Sequence, residues 1–237
     1  MGALMQDNPL IVALDVDDEV QAIDIIEELA GLVKLYKVGL NLYLSEGDQI
    51  LNIIKSLDKE IFLDLKLFDI PNTVKDACCQ LAKKEVSMIT LHTLGGKEML
   101  KAAVDGVRHA ETDKPPLLLG VTVLTSFDES FINEQLSSNK SLEEIAVELA
   151  ILSKKCSLDG IVCSAKEVKA IRKAIGDDLL IITPGIRPKG EDVFDQQRIA
   201  TPKQALDAGA NYIVIGRPII KAKDKRQATE AIYQEIG

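Results

Sequence analysis

The chain has 237 residues, 46% hydrophobic and 27% charged, with a formal net charge of −9. That is length enough for one large domain with a substantial core. The acidic balance and the absence of tryptophan argue against general nucleic-acid binding, which uses a basic face and aromatic stacking platforms, but leave room for a local basic pocket that holds an anionic metabolite.

Taken in order, short apolar, β-branched runs appear at LIVALDV (10–16), LYKVGL (35–40), IFLDLKL (61–67), MITLHTL (88–94) and PLLLGVTVL (116–124). They continue at GIVCSA (160–165), LLIITPGI (179–186) and YIVIGRPI (212–219). Between them lie segments with helical spacing, among them EVQAIDIIEELAGL, QILNIIKSL, SLEEIAVELAILSKK and TPKQALDAG. Each strand-like run is followed by one helix-like run. Eight such units predict an α/β fold of the (β/α)₈-barrel (TIM-barrel) type, with residues 1–237 as a single domain. A doubly wound sheet would use fewer strands and a glycine-rich turn after the first, whereas the first strand here runs into LDVDD. No apolar run is long enough to span a membrane. The start, MGALMQDNPL, lacks the parts of a secretory signal, and residues 1–8 read in part as an added or disordered lead. Cys78, Cys79, Cys156 and Cys163 form no CxxC pair, as expected of reduced thiols in a cytoplasmic protein. Two connections on the C-terminal side of the strands are long, 125–140 and 187–200. The second is polar, carries a glycine at Gly190, and reads as a lid.

The charges gather at strand ends. Residues two apart in a strand share a face, so Asp64 and Lys66 point together, with Leu63, Leu65 and Leu67 turned to the helices. Asp15 closes the first strand and Lys37 lies in the second, so four charges converge at one end of three neighbouring strands. Opposite charges at about 4 Å attract by roughly 4 kcal/mol at an effective dielectric near 20. Such a cluster is costly to desolvate, so a catalytic cluster is the preferred reading over a salt-bridge network that merely fills the barrel. Asp69 lies past the strand, where alternation no longer aims it. It is free to turn into the same pocket, cap the next helix or reach out of the subunit; Thr73 is a competing cap.

The last strand ends in Gly216 and Arg217, a close-approach glycine beside a forked cationic donor, which suits a phosphate. ITPGIRP adds Gly185 and Arg187 one strand earlier. Thr125 and Ser126, after the fifth strand, read as partners for a polar ring or amide, with capping of the loop as the alternative. His92 reads as a structural histidine, and His109 as a helix-surface one. No set of residues has a metal-ligand spacing, and no Walker, GxGxxG or GxSxG motif is present.

DLKLFDIPNT at 64–73 resembles the DxKxxD signature of the orotidine 5′-phosphate decarboxylase family. The resemblance extends to ALDV with Asp15, YKVG with Lys37, VTVLTS with Thr125, TPGIRP with Arg187, DQQR with Gln196 and VIGRPI with Gly216 and Arg217. It implies a carboxy-lyase without cofactor or metal that converts orotidine 5′-phosphate to UMP and CO₂ in pyrimidine biosynthesis. It further implies that Lys66 protonates C6, that Asp64 faces the departing carboxylate, and that Asp15 and Lys37 hold the ribose hydroxyls and the charge network. Thr125 and Ser126 would meet the pyrimidine; Gln196, Arg187, Gly216 and Arg217 would meet the phosphate. Asp69 and Thr73 would complete the site of the neighbouring subunit in a homodimer, with no nucleic-acid or membrane partner. Related magnesium-dependent 3-keto-gulonate-phosphate decarboxylases and hexulose-phosphate synthases share DxKxxD, but are expected to carry an acid where this chain has Lys37. A non-catalytic phosphate-binding barrel is the alternative of another class, expected to lack one of the four charges.

Overall fold

A computed structural model describes residues 8–135, 137–188 and 200–237. Among these, eight parallel strands close into a barrel in sequence order. They are β1 (Leu10–Ala13), β2 (Leu35–Gly39), β3 (Glu60–Leu67), β4 (Met88–His92), β5 (Leu117–Val121), β6 (Gly160–Val162), β7 (Leu180–Thr183) and β8 (Tyr212–Ile215). The barrel shuts where β1 pairs with β8 through Leu10–Ile213, Ile11–Val214 and Val12–Ile215.

Helices cover the outside. α1 (Glu19–Glu28) follows β1, and both α2 (Leu40–Glu46) and α3 (Asp48–Ser56) follow β2. α4 (Pro71–Ala82), α5 (Gly96–His109), α6 (Leu142–Lys155), α7 (Val168–Ile175) and α8 (Pro202–Asp207) take the next five connections, and α9 (Arg217–Ile220) with α10 (Lys225–Ile236) ends the chain. The second unit therefore departs from one strand, one helix. α2 starts directly at the end of β2, with Gly39 as its N-cap. Local chemistry sets several helix starts. Asp18 caps α1 by accepting from the Gln21 amide, and Ser141 with Glu144 and Thr201 with Gln204 form reciprocal capping boxes on α6 and α8. α4 opens with Pro71 in its first turn and has no side-chain cap. Neither Asp69 nor Thr73 caps it: the Asp69 carboxylate accepts from the adjacent Ile70 amide at 2.6 Å, and Thr73 lies inside the first turn. α5 lies so close to α4 that a Cβ on Gly106 would sit 2.2 Å from the Lys75 carbonyl oxygen.

Two apolar layers result. Leu10, Val12, Tyr36, Val38, Leu63, Ile89 and Leu91 belong to the layer shared with the helices. Ile11, Ala13, Leu35, Phe62, Met88, Leu119, Val121, Val162, Ile182, Tyr212 and Val214 fill the barrel interior. This is the period-2 alternation of a strand, and it decides which side chains reach the open end. Continuing the inward parity past the apolar floor leads to Asp15, Lys37, Asp64, Thr90, His92, Pro184 and Gly216 at the C-terminal mouth. The cysteines are all free, and Cys78, Cys156 and Cys163 are buried. No helix among the described residues is long and apolar enough to cross a membrane.

Candidate active site

A cavity of about 220 Å³ opens at the mouth. Asp15, Lys37, Asp64 and Lys66 line it on the side of β1–β3, Thr125 lies beyond β5, and Gly185, Arg187, Gly216 and Arg217 form the opposite rim. A second recess, beside Leu40 and Asn41, shares the four charged residues of the first side. One wall is thus ionic with both signs, and the facing wall carries two guanidinium groups beside two glycines.

The ionic wall is a chain of contacts. The Lys66 ammonium donates to both oxygens of Asp64 at 2.9 Å. Lys37 Nζ lies 3.2 Å from Asp15 Oδ1 and 3.8 Å from Asp64 Oδ2. Exposure falls inward: the Asp15 side chain is 53% exposed, Lys66 34%, and Lys37 and Asp64 13% each. Burial pushes the Asp64 carboxyl up, but Lys66 and Lys37 together with hydrogen bonds from Lys66 and Thr90 outweigh it, so its pKa lies below the ordinary value. Asp64 is therefore an anion at neutral pH, clamped between two cations.

The strand is not regular here. Leu63 pairs with Ile89, and the next pair in register is Leu67 with Leu91. Asp64, Leu65 and Lys66 thus run beside Thr90 alone, and Lys66 adopts φ +49°. A left-handed conformation costs a non-glycine residue about 1–2 kcal/mol, and such strain collects at functional sites. Alternation predicts Lys66 on the Asp64 face, and its ammonium does reach that carboxylate, but across a bulged backbone. Thr90, which is not among the residues singled out from sequence, is fully buried. It accepts from the Lys66 amide at 2.8 Å and donates to Asp64 Oδ1 at 2.9 Å. The signal that could have found it is its place between Met88 and His92 on the inward parity of MITLH.

Gly216 has a steric reason. A Cβ there would lie 2.9 Å from Asp15 Oδ2 and 3.3 Å from Ala13 Cβ, so glycine lets the Asp15 carboxylate rest against β8 where a side chain would push it aside. Gly185 has φ +76°, a turn that suits glycine and delivers the buried Arg187 into the cavity. Thr125 lines the cavity, whereas Ser126 is exposed and outside its lining. Gln196 and the hinge position Gly190 lie outside the described residues. His92 is buried, accepts from the Leu94 amide at 3.4 Å and packs on Phe68 at 5.8 Å between ring centroids. Burial and then the Lys66 charge lower its pKa, which keeps it neutral.

Asp69 and Thr73 stand apart. Both are exposed, and neither lines the cavity of its own chain. Around Asp69, Phe68 is 62% and Ile70 67% exposed. Leu40, Leu44 and Leu94, from the segments after β2 and β4, are exposed as well.

Comparison with known proteins gives a consistent picture. The family model described as Orotidine 5′-phosphate decarboxylase / HUMPS family matches residues 8–232. An orotidine 5′-phosphate decarboxylase of Carboxydothermus hydrogenoformans is 45% identical over 229 residues, covering 96% of this chain and 95% of that one. One from Nostoc sp. is 43% identical over 235 residues, covering 98% of each. The crystal structure of orotidine 5′-phosphate decarboxylase from Lactobacillus acidophilus superposes with a TM-score of 0.86 at 39% identity, covering 98% of this chain and all of that one.

Proposed function

The chain belongs to the orotidine 5′-phosphate decarboxylase / HUMPS family, and from that premise we propose that it converts orotidine 5′-phosphate to UMP and CO₂, with Lys66 as the proton donor. The observation that carries the chemistry is the Lys66 ammonium held at 2.9 Å by an Asp64 carboxylate that is itself paired to Lys37. When the bond from C6 to the carboxylate breaks, CO₂ leaves and the electron pair stays on C6. The carbanion there is poorly delocalised. A cation fixed beside it stabilises the developing charge without moving during reaction. Lys66 then gives a proton to C6 and is recharged from water. Asp64 faces the departing carboxylate and holds the ammonium in place. Asp15 and Lys37 hold the ribose hydroxyls, Thr125 meets the pyrimidine, with Ser126 beside it on the same loop, and Arg187, Gly216 and Arg217 meet the phosphate, to which the family resemblance adds Gln196. Binding energy from the phosphate, remote from C6, is thereby available to the chemical step.

The Lys37 ammonium between the Asp15 and Asp64 carboxylates favours this reading over a magnesium-dependent relative, since it sets a cation where a divalent ion would have to bind. The enzyme works as a cytoplasmic homodimer of one-domain subunits, without cofactor. The dimer reading rests on Asp69 and Thr73, which are exposed outside their own cavity among the exposed apolar side chains Phe68 and Ile70. Docked on a second copy, that surface would bury the apolar groups and deliver Asp69 and Thr73 to the partner's mouth.

The test is Lys66→Ala. It is expected to lose turnover while still binding UMP in calorimetry with the wild-type stoichiometry. Turnover within about tenfold of wild type would remove Lys66 from the donor role, because general acid catalysis alone contributes about 10²–10⁴-fold.

A further inference from the structure

The bulge in β3 poses a problem that a regular strand would not. Between the register pairs Leu63–Ile89 and Leu67–Leu91, three residues of β3 face one of β4, so the Lys66 amide does not meet a backbone carbonyl across the ladder in register. Its acceptor is the Thr90 hydroxyl, at 2.8 Å. A hydroxyl has one proton, and that of Thr90 goes to Asp64 Oδ1, 2.9 Å away. Asp64 Oδ1 in turn accepts from the Lys66 ammonium at 2.9 Å. The contacts close a ring: Lys66 amide to Thr90, Thr90 to Asp64, and Asp64 back to the far end of the same lysine.

We infer that Thr90 is a positioning residue for Lys66, its hydroxyl tying the left-handed backbone of the lysine to the carboxylate that holds the ammonium. Thr90 does not line the cavity, so it acts through Lys66 and Asp64 and not on the substrate. It is fully buried, so bulk water does not take over when the hydroxyl is removed. Both bonds are needed. The first fixes where the lysine side chain departs from the strand, and the second fixes the orientation of the carboxylate plane that receives its other end. The threonine methyl group has no part in either.

The kinetic arm rests on the decarboxylase reading; a structural arm does not. Thr90→Val keeps the shape and removes the hydroxyl, and Thr90→Ser restores it without the methyl. Thr90→Ala, compared with Thr90→Ser, isolates the hydroxyl again should the valine variant fold poorly. Rates are taken per UMP-binding site, counted by calorimetry, so that loss of folded protein is not read as loss of catalysis. Displacements of an ångström in a reacting group cost about a hundredfold. The expected result is a fall in kcat of about ten- to a hundredfold in the valine and alanine variants, with KM within about threefold of wild type and the serine variant within about threefold in both. In the crystal, the valine or alanine variant should show Lys66 out of the left-handed region or its ammonium withdrawn from Asp64. That result reads the same whatever the substrate. The inference is overturned if the variants without a hydroxyl turn over like wild type, or if serine loses as much as alanine. It is equally overturned if Lys66 keeps both its φ and its Asp64 contacts in a crystal of a variant without the hydroxyl.

Discussion

Replacing Asp64 by asparagine keeps the shape and removes one charge from the middle of the ionic wall. In the wild type, the carboxylate attracts Lys66 at 2.9 Å and Lys37 at 3.8 Å. At an effective dielectric near 20 these are gross attractions of about 6 and about 4 kcal/mol. Desolvation of the three ions offsets most of that, so the pairs are weak evidence of stability as such. Taking away one partner is a different matter. It leaves two ammonium groups beside each other, with Asp15, which is half exposed, the remaining acid of the four. Breaking a buried pair in this way destabilises by about 3–5 kcal/mol, and the partial exposure of Lys66 and its solvent screening put Asp64→Asn at about 3 kcal/mol or less. The pH dependence gives the sign. The Asp64 pKa is depressed from its ordinary 3.8, so its contribution is complete above that value and is lost as the pH falls through the lower, folded value. Urea unfolding of both proteins from pH 7 to pH 3 is the assay. Asp64→Asn should be less stable at pH 7 by about 2–3 kcal/mol, with the gap unchanged down to about pH 4 and narrowing below it. A variant as stable as wild type at pH 7, or a gap that opens on acidification, would refute the clamp.

Two further outcomes concern the same site. His92 has a pKa lowered from 6.5 by burial and by Lys66, so it contributes stability in full above 6.5 and loses it as the pH falls toward the folded value. His92→Gln should flatten the stability profile just below pH 6.5, and an unchanged slope there would show that another group titrates. For the shared site, Lys66→Ala and Asp69→Ala proteins, each inactive, should recover up to about a quarter of wild-type activity once mixed and exchanged at equal concentration. That fraction comes from mixed dimers in which one of the two sites is intact. No recovery after confirmed subunit exchange would place Asp69 in its own chain's function.

What the sequence conveys and what it withholds have physical causes. The eight strands are legible because their inward positions are apolar up to the mouth, and on the first three a charge follows there, as in Ile11, Ala13 and Asp15. The ends of the strands are not. LDV after Ala13 and TVL after Val121 have strand chemistry, but the paired register ends at Ala13 and Val121, which is a property of the pair. α2 is not legible because LNLYLSE comes after Gly39 without a connecting loop and leaves Leu40 and Leu44 exposed, so it shows no buried stripe of its own. The four charges are legible by spacing, since inward parity carries Asp15, Lys37 and Asp64 to one end. The left-handed Lys66 is not, because no glycine or asparagine marks it and the strain is sustained by contacts from β4. Asp69 leaves its alternatives open in the sequence for the same reason that the structure leaves it outside its own cavity: nothing among the described residues of its own chain aims it there.

The most direct measurement is decarboxylation itself. Purified protein is mixed with orotidine 5′-phosphate in excess EDTA, and the ultraviolet absorbance change is recorded as UMP forms. Continued, rapid loss of substrate, with CO₂ and UMP released in equal amounts, is the predicted result. Intact orotidine 5′-phosphate, with activity on a keto-sugar phosphate once Mg²⁺ is restored, would contradict the account at its centre, because Lys37 would then have been misread as the cation that takes the place of a metal.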